Sequence, residues 1–169
     1  MASREQLLHD FAALIPFAES LRGLDEAAWT APVAPGKWAV RDIISHIMLW
    51  DKYYLEEAIE RISQGEPISA RHLDYDAFNR DAMTFAATRS PKVILDLAIR
   101  FRSEIIRQLT MLGEERASRV YTDADGHPFA VRQYAADFIA HDAHHMAQIR
   151  RFLGREADVA IRSDSPQRT

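Results

Sequence analysis

Two histidines four residues apart, His141 and His145, are the clearest chemical signal in this sequence. Their segment carries apolar residues at helical spacing, and residues four apart on a helix have Cβ atoms about 5–6 Å apart. Both imidazoles therefore point the same way, in line with the apolar stripe through Phe138 and Ile149. An imidazole on an apolar face needs a partner for each nitrogen, and a metal ion is one such partner.

Other interpretations of the same segment stay open. Two exposed or hydrogen-bonded histidines would give the same pattern, because short motifs often match by chance. His144 forms a competing pair with His141 at a spacing of three, about 100° around the helix from His145, and is interpreted as a supporting or surface group. The string from His141 to His145 also resembles the H-E-x-x-H motif of zinc proteases with Asp142 in place of Glu. No further histidine follows, which disfavours a protease.

A third metal ligand has to come from another helix, and His46 is the candidate. It lies at the edge of the apolar face of a helix predicted over residues 39–63. Taken alone, such a residue is more often a hydrogen-bonded core histidine. Together with His141 and His145 it would give three nitrogen ligands and leave one position open, which is the catalytic pattern.

Carboxylates near the candidate ligands could orient an imidazole through its second nitrogen. Asp137 lies one turn before His141, and Asp42 lies one turn before His46. Asp142 is expected to point away from the ligand face. Weak candidates for acid–base or orienting roles are Asp142, His144 and Gln148.

Apolar periodicity predicts four long amphipathic helices. They span about residues 4–22, 39–63, 91–112 and 129–153. Pro16 should kink or divide the first helix, and Gly154 should end the last. A shorter helix is predicted over 74–87 and a turn or loop over 122–128, with no convincing strand. The pattern indicates an all-α antiparallel four-helix bundle with extra short helices in the connections. The bundle domain is placed at residues 1–154, and the polar tail at 155–169 is expected to be flexible.

Composition narrows the possible functions. A net charge of −4 and a pI near 6.0 argue against a nucleic-acid partner. The absence of cysteine excludes disulfides, zinc–thiolate sites, Fe–S clusters and a cysteine nucleophile. Neither a signal peptide nor a run of about 18 apolar residues is recognisable, so we expect a cytoplasmic protein without a membrane partner.

Two stretches of the chain resemble the DinB/YfiT-like superfamily of four-helix-bundle metalloproteins, close to its DinB-like subgroup. One is Lys-Trp-Ala-Val-Arg-Asp-Ile-Ile-Ser-His over residues 37–46, with Trp50 after it. The other is residues 129–153, with His-Asp-x-His-His-x-Ala-Gln-Ile from His141 to Ile149. The order of one histidine on the second long helix and H-x-x-x-H on the fourth is more specific than either motif alone.

The resemblance implies a divalent metal ion, most often zinc or nickel, held by His46, His141 and His145. It also implies a homodimer. Relatives include transferases and isomerases that use bacillithiol, mycothiol or glutathione, so a low-molecular-weight thiol is a possible second cofactor on the resemblance alone.

Three functions remain to be compared. The first is a metal-dependent enzyme acting on an unknown small molecule, most concretely a transferase acting through a small thiol and next a hydrolase. The second is a non-enzymatic metal-binding or stress-response protein, in which the metal adds stability. The third is a metal-free bundle that acts through its dimer surface. Aromatic residues near the histidines could line a substrate pocket, although at helical spacing they are more often core; these are Trp50, Tyr53, Tyr134 and Phe138.

Overall fold

The computed structural model describes residues 2–163 of the 169-residue chain, with side chains as far as Asp158. Its helices are α1 (Arg4–Phe11), α2 (Leu14–Ser20), α3 (Glu26–Thr30), α4 (Val40–Tyr54), α5 (Glu60–Gln64), α6 (Tyr75–Thr88), α7 (Pro91–Met111), α8 (Glu114–Ser118) and α9 (Val131–Ser163). A 3₁₀ turn (Leu21–Gly23) follows α2, and a π-helical turn (Leu55–Ile59) joins α4 to α5. The predicted all-α four-helix bundle, with short helices in its connections, is confirmed.

The first long helix is divided by Pro16, as predicted. A proline ring clashes with the carbonyl four residues earlier and has no N–H to donate to it. That carbonyl belongs to Ala12, and α1 ends just before it, at Phe11. The Ile15 N–H instead donates to the Ala12 carbonyl at 2.9 Å, which starts α2 with a tighter turn.

The second long helix carries His46 and consists of α4, the π-helical turn and α5. Its first turn is fixed by Asp42, whose carboxylate accepts a hydrogen bond from the Ala39 N–H at 3.0 Å. It ends at Gly65, which has φ of +75° and therefore takes the left-handed conformation that closes many helices.

The last helix corrects one prediction. Gly154 does not end it, because α9 continues to Ser163. A glycine inside a helix costs only about 1 kcal/mol. The guanidinium of Arg155 donates to the Val33 carbonyl at 2.7 Å and ties the following turn to the α3–α4 connection. Residues 155–163, part of the predicted tail, are thus helical; their flexibility stays a prediction, and 164–169 lie outside the described residues.

A small hairpin corrects the predicted loop at residues 122–128. Strands β1 (Val120–Thr122) and β2 (Pro128–Ala130) pair antiparallel, with Tyr121 opposite Phe129. The turn is closed by Asp123, whose carboxylate accepts a hydrogen bond from the His127 N–H at 2.8 Å. Strands of three residues are too short to show a period-two pattern, and α9 accordingly starts at Val131 rather than at 129 or 130.

The core divides into two apolar clusters. The first apolar cluster includes Leu14, Met48, Ala98 and Met146. The second apolar cluster includes Phe11, Leu55, Ile105 and Tyr134. Along the chain, α4 and α7 pass from the first cluster to the second, whereas the α1–α2 unit and α9 pass from the second to the first. Hence α4 and α7 run in one direction, and the α1–α2 unit and α9 run in the opposite direction. The connection from the α4–α5 segment back to the start of α7 contains α6.

Within residues 2–163, the helices fall short of the length and apolar character that a membrane crossing requires.

Candidate metal centre

Three histidines from two helices meet in the middle of the bundle. His46 comes from α4, and His141 and His145 come from successive turns of α9. The Nε2 atoms of His46 and His141 are 3.0 Å apart, and one nitrogen from each of the three rings lies within 4.8 Å of the others. Imidazole nitrogens bind zinc at about 2.0–2.1 Å, so nitrogens that share one ion are about 3–3.4 Å apart. The structure therefore brings together all three residues that the sequence proposed as ligands.

In His141 and His145, the second ring nitrogen faces a side-chain oxygen. Nδ1 of His141 lies 3.2 Å from Oδ1 of Asp142, and Nδ1 of His145 lies 3.4 Å from Oε1 of Gln148. These contacts involve only Nδ1 and leave Nε2 as the nitrogen available to a metal ion in both rings. Gln148, a weak candidate from the sequence, thus has an orienting position beside His145.

Burial keeps two of the three rings neutral. It lowers the pKa of His46 to about 3, an effect that the neighbouring His141 and His145 reinforce and the nearby Asn79 side chain opposes. Burial also lowers the pKa of His145 to about 4, again with help from His141. A neutral imidazole is the form that binds a metal ion, so these two rings need not release a proton at pH 7. The donor set therefore fits a borderline divalent ion such as zinc or nickel.

The carboxylate beside the ligands is Asp142, not the two that the sequence favoured. Asp142 was expected to point away from the ligand face, yet it is 2% exposed and contacts His141. Asp137 is exposed and accepts a hydrogen bond from Gln133 at 2.7 Å. Asp42 is occupied with the backbone at the start of α4. The short Asp142 side chain turns inward because a buried cation lies on that side of α9.

That buried cation is Arg102 on α7, which sequence reasoning missed. Its guanidinium makes two hydrogen bonds to Asp51 on α4, at 2.8 and 3.0 Å, and lies 2.7 Å from Oδ2 of Asp142. Arg102 and Asp51 are both 0% exposed. A signal was present, because each interrupts an apolar stripe: Asp51 lies midway between Ile47 and Leu55 at spacings of four.

An aromatic pocket of about 350 Å³ opens onto His46 and His141. It is lined by His46, Trp50, Tyr54, Tyr75, Asn79, Asp137, Phe138 and His141. Two of the four aromatic residues that the sequence suggested, Trp50 and Phe138, lie in this wall. Tyr53 and Tyr134 do not, and Tyr134 is a core residue, 5% exposed.

A second depression, the polar cleft, borders His145 and shares no lining residue with the aromatic pocket. Its volume is about 310 Å³, and it is lined by Gly36, Lys37, Trp38, His144, His145 and Gln148. His144 is exposed there and is not part of the three-histidine group. The Trp38 ring lines this cleft and stacks on His145 at 6.4 Å between centroids.

Comparison with known proteins gives a family match over most of the chain. The sequence profile described as DinB superfamily matches residues 12–149. No curated protein sequence is significantly similar to this chain.

Solved structures with the same fold share little sequence with this chain. One is YfiT from Bacillus subtilis, described as a probable metal-dependent hydrolase with an unusual four-helix bundle topology; its TM-score is 0.75 at 17% identity, over 93% of this chain and 91% of that one. Another is a mycothiol-dependent maleylpyruvate isomerase, with a TM-score of 0.67 at 15% identity. The match covers 88% of this chain but only 61% of the isomerase. At such identities the likeness establishes the fold alone.

Proposed function

Because this chain belongs to the DinB superfamily and brings three histidines to one point, we propose that it is a metal-dependent enzyme acting on a small molecule. The observation that carries the proposal is the convergence of ring nitrogens from His46, His141 and His145 within 4.8 Å. A divalent ion bound by three histidines keeps a position open and lowers the pKa of a bound thiol or water.

Its most concrete form is a transferase that acts through a low-molecular-weight thiol, with zinc or nickel as the metal. Two features support this form: a solved structure with the same fold is mycothiol-dependent, and two accessible depressions with different linings border the histidines. A thiol transferase has to hold two molecules at one centre. A site with two separate approaches meets that requirement.

The two depressions differ in chemistry, which assigns one reactant to each. The aromatic pocket, with Trp50 and Phe138 in its wall, suits a small apolar or aromatic acceptor, and Asp137 would disfavour an anionic one. The polar cleft, with Lys37, His144 and Gln148, suits the polar, anionic body of a thiol.

The first experiment is metal analysis of untagged protein purified without chelator or nickel resin. We expect about one zinc or nickel ion per chain, lost in His46→Ala. His9→Ala is the matched control, because His9 is exposed on α1, away from the site. A wild-type chain that takes up neither metal, even after incubation with each, would contradict the proposal.

Turnover then separates the enzymatic alternatives. The metal-loaded protein is assayed with electrophilic aromatic substrates in the presence and absence of glutathione, bacillithiol and mycothiol. Consumption of substrate only with a thiol supports the transferase. Consumption without thiol identifies a hydrolase, the activity ascribed to YfiT. A bound metal that raises stability with no turnover of any kind identifies the non-enzymatic alternative.

A further inference from the structure

A layer of buried charge crosses the bundle between its two apolar clusters. Asp51 on α4, Arg102 on α7 and Asp142 on α9 each lie where their helix passes from one cluster to the other. The α1–α2 unit reaches the same level at Phe11, whose carbonyl belongs to the layer. All four long units of the bundle thus contribute to one polar contact.

Asp51 and both the carbonyl and the ring of Phe11 fix the position of the Arg102 guanidinium. Its Nε and Nη2 donate to the two carboxylate oxygens of Asp51, and its Nη1 donates to the Phe11 carbonyl at 2.9 Å. Its guanidinium also stacks over the Phe11 ring, 3.9 Å from the centroid. A planar fork bound in this way has little freedom to rotate, so it presents Nη1 to Asp142 in a fixed position.

Asp142 joins this clamp to the histidines. One carboxylate oxygen lies 2.7 Å from Arg102 Nη1, and the other lies 3.2 Å from Nδ1 of His141. With both oxygens engaged, the carboxylate fixes the His141 ring with its Nε2 toward His46. A carboxylate that accepts from Nδ1–H also selects the tautomer in which Nε2 carries the free lone pair.

The charges of the layer do not cancel. Two carboxylates and one guanidinium leave a net charge of −1 at full burial, which is unfavourable in a low-dielectric core. A cation beside the histidines would balance it, since Asp142 touches one of them. Asp51, Arg102 and Asp142 line neither depression, so the layer supplies negative charge to the site from within the core.

We propose that Arg102 and Asp142 are positioning residues for the metal site. Arg102, clamped by Asp51 and the Phe11 carbonyl, fixes Asp142, and Asp142 fixes the ring and tautomer of His141. The layer's excess negative charge adds to the affinity for a divalent cation. This inference rests on the proposed metal-dependent function and assigns a role to residues that do not touch substrate.

The test compares zinc binding and folding in matched variants of the full chain. Asp142→Asn keeps the side-chain volume but removes the charge. We expect its zinc affinity, measured by competition with a chromophoric chelator, to fall about 10- to 100-fold. The visible spectrum of the cobalt-loaded variant should also change, because that spectrum reports ligand geometry.

The control variant is Leu109→Ala, in the second apolar cluster on the same helix as Arg102. It loosens the core without changing a residue of the charged layer. It should be less stable to urea yet keep wild-type zinc affinity and cobalt spectrum.

The outcomes are separable. Wild-type zinc affinity and an unchanged cobalt spectrum in Asp142→Asn would overturn the positioning role and leave the proposed function standing. An equal loss of zinc affinity in Leu109→Ala would overturn it too, because the effect would then be general loosening. If Asp142→Asn does not fold, Arg102→Lys is measured instead. This variant keeps the positive charge but lacks the planar guanidinium with its several donors. Unchanged zinc affinity in Arg102→Lys would overturn the inference. A wild-type chain that binds no zinc overturns both proposals.

Discussion

The Nε2 atoms of His46 and His141 lie 3.0 Å apart, although 95 positions in the sequence separate the two residues. Burial keeps His46 neutral, so two nitrogens with free electron pairs would repel at this distance unless a proton or a metal ion lies between them. Only α4 and α9 contribute to this contact, and both reach it in the middle of their length. The ligands therefore sit on rigid elements and not on loops.

The choice between His144 and His145 as the second ligand on α9 can be decided directly. His145→Ala should lose the bound metal, whereas His144→Ala should retain about one ion per chain, because His144 points into the polar cleft. The measurement is metal content after dialysis against metal-free buffer. Loss of the ion in His144→Ala with retention in His145→Ala would show that the competing i, i+3 pair binds it.

Metal removal should lower stability. A ligand that binds only the folded state raises the unfolding free energy by about 2.7 kcal/mol when its free concentration is 100 times Kd. Urea midpoints with zinc, and again after EDTA, measure the difference. His141→Ala should show one midpoint under both conditions. A wild-type midpoint that ignores both zinc and EDTA would exclude a metal that joins α4 to α9.

The metal-free protein should lose stability as the pH falls below about 6.5. In that range the unfolded chain binds a proton at each histidine, while His46 and His145, with pKa values of about 3 and 4, stay neutral when folded. Stability from both is therefore fully present above pH 6.5. Burial raises the pKa of Asp51 to about 6, despite Arg102, and this group acts in the opposite direction between pH 4 and 6.

Between pH 4 and 6, unfolding adds a proton to each of His46 and His145 and releases one from Asp51. The net uptake on unfolding is therefore one proton. The unfolding free energy should fall by at most about 1.4 kcal/mol per pH unit, reduced by the partial exposure of His145. Urea unfolding in EDTA at several pH values measures the slope. In His46→Gln the slope should be smaller; an equal slope in that variant would assign it to other groups.

The two depressions should respond separately to substitution. Lys37→Met in the polar cleft should raise KM for the thiol about two- to fivefold, as expected for an exposed ionic contact, and leave KM for the acceptor unchanged. Trp50→Leu in the aromatic pocket should raise KM for the acceptor roughly two- to tenfold. Steady-state kinetics with each reactant varied in turn tests both. A reversed pattern would exchange the two assignments.

Gly154→Ala should stabilise the protein. Gly154 lies inside α9, and a Cβ built there meets nothing within 4 Å. Alanine is better than glycine in a helix interior by about 0.5–1 kcal/mol, so the urea midpoint should rise. Had Gly154 closed the helix in a left-handed conformation, as the sequence suggested, the same change would destabilise. A lower midpoint would thus favour the shorter helix.

Sequence reasoning reached those parts of the site that a periodic pattern encodes. His141 and His145 could be paired because helical spacing alone places them together. His46 could be proposed but not located against them, since the relation between α4 and α9 depends on the packing of the whole bundle. The apolar faces also gave the number of long helices correctly.

The charged layer could not be predicted from periodicity, because that criterion treats a charged residue in an apolar stripe as an interruption. Asp51 and Arg102 are such interruptions, and only their mutual contact explains their burial. The hairpin was missed because its strands are three residues long. Gly154 was misjudged because a glycine near a helix end has the same local signal whether the helix stops or continues.

Pro16 has an effect that reaches the centre of the molecule. In an unbroken helix the carbonyl of Phe11 would accept the Ile15 N–H; here Ile15 donates to Ala12, whose usual donor the proline lacks. The Phe11 carbonyl is thereby released and accepts a hydrogen bond from Nη1 of Arg102. The break in the first long helix thus supplies a backbone carbonyl that solvates the buried Arg102 guanidinium in place of water. Pro16→Ala would allow a continuous helix, in which the Phe11 carbonyl accepts from the Ile15 N–H and no longer from Arg102.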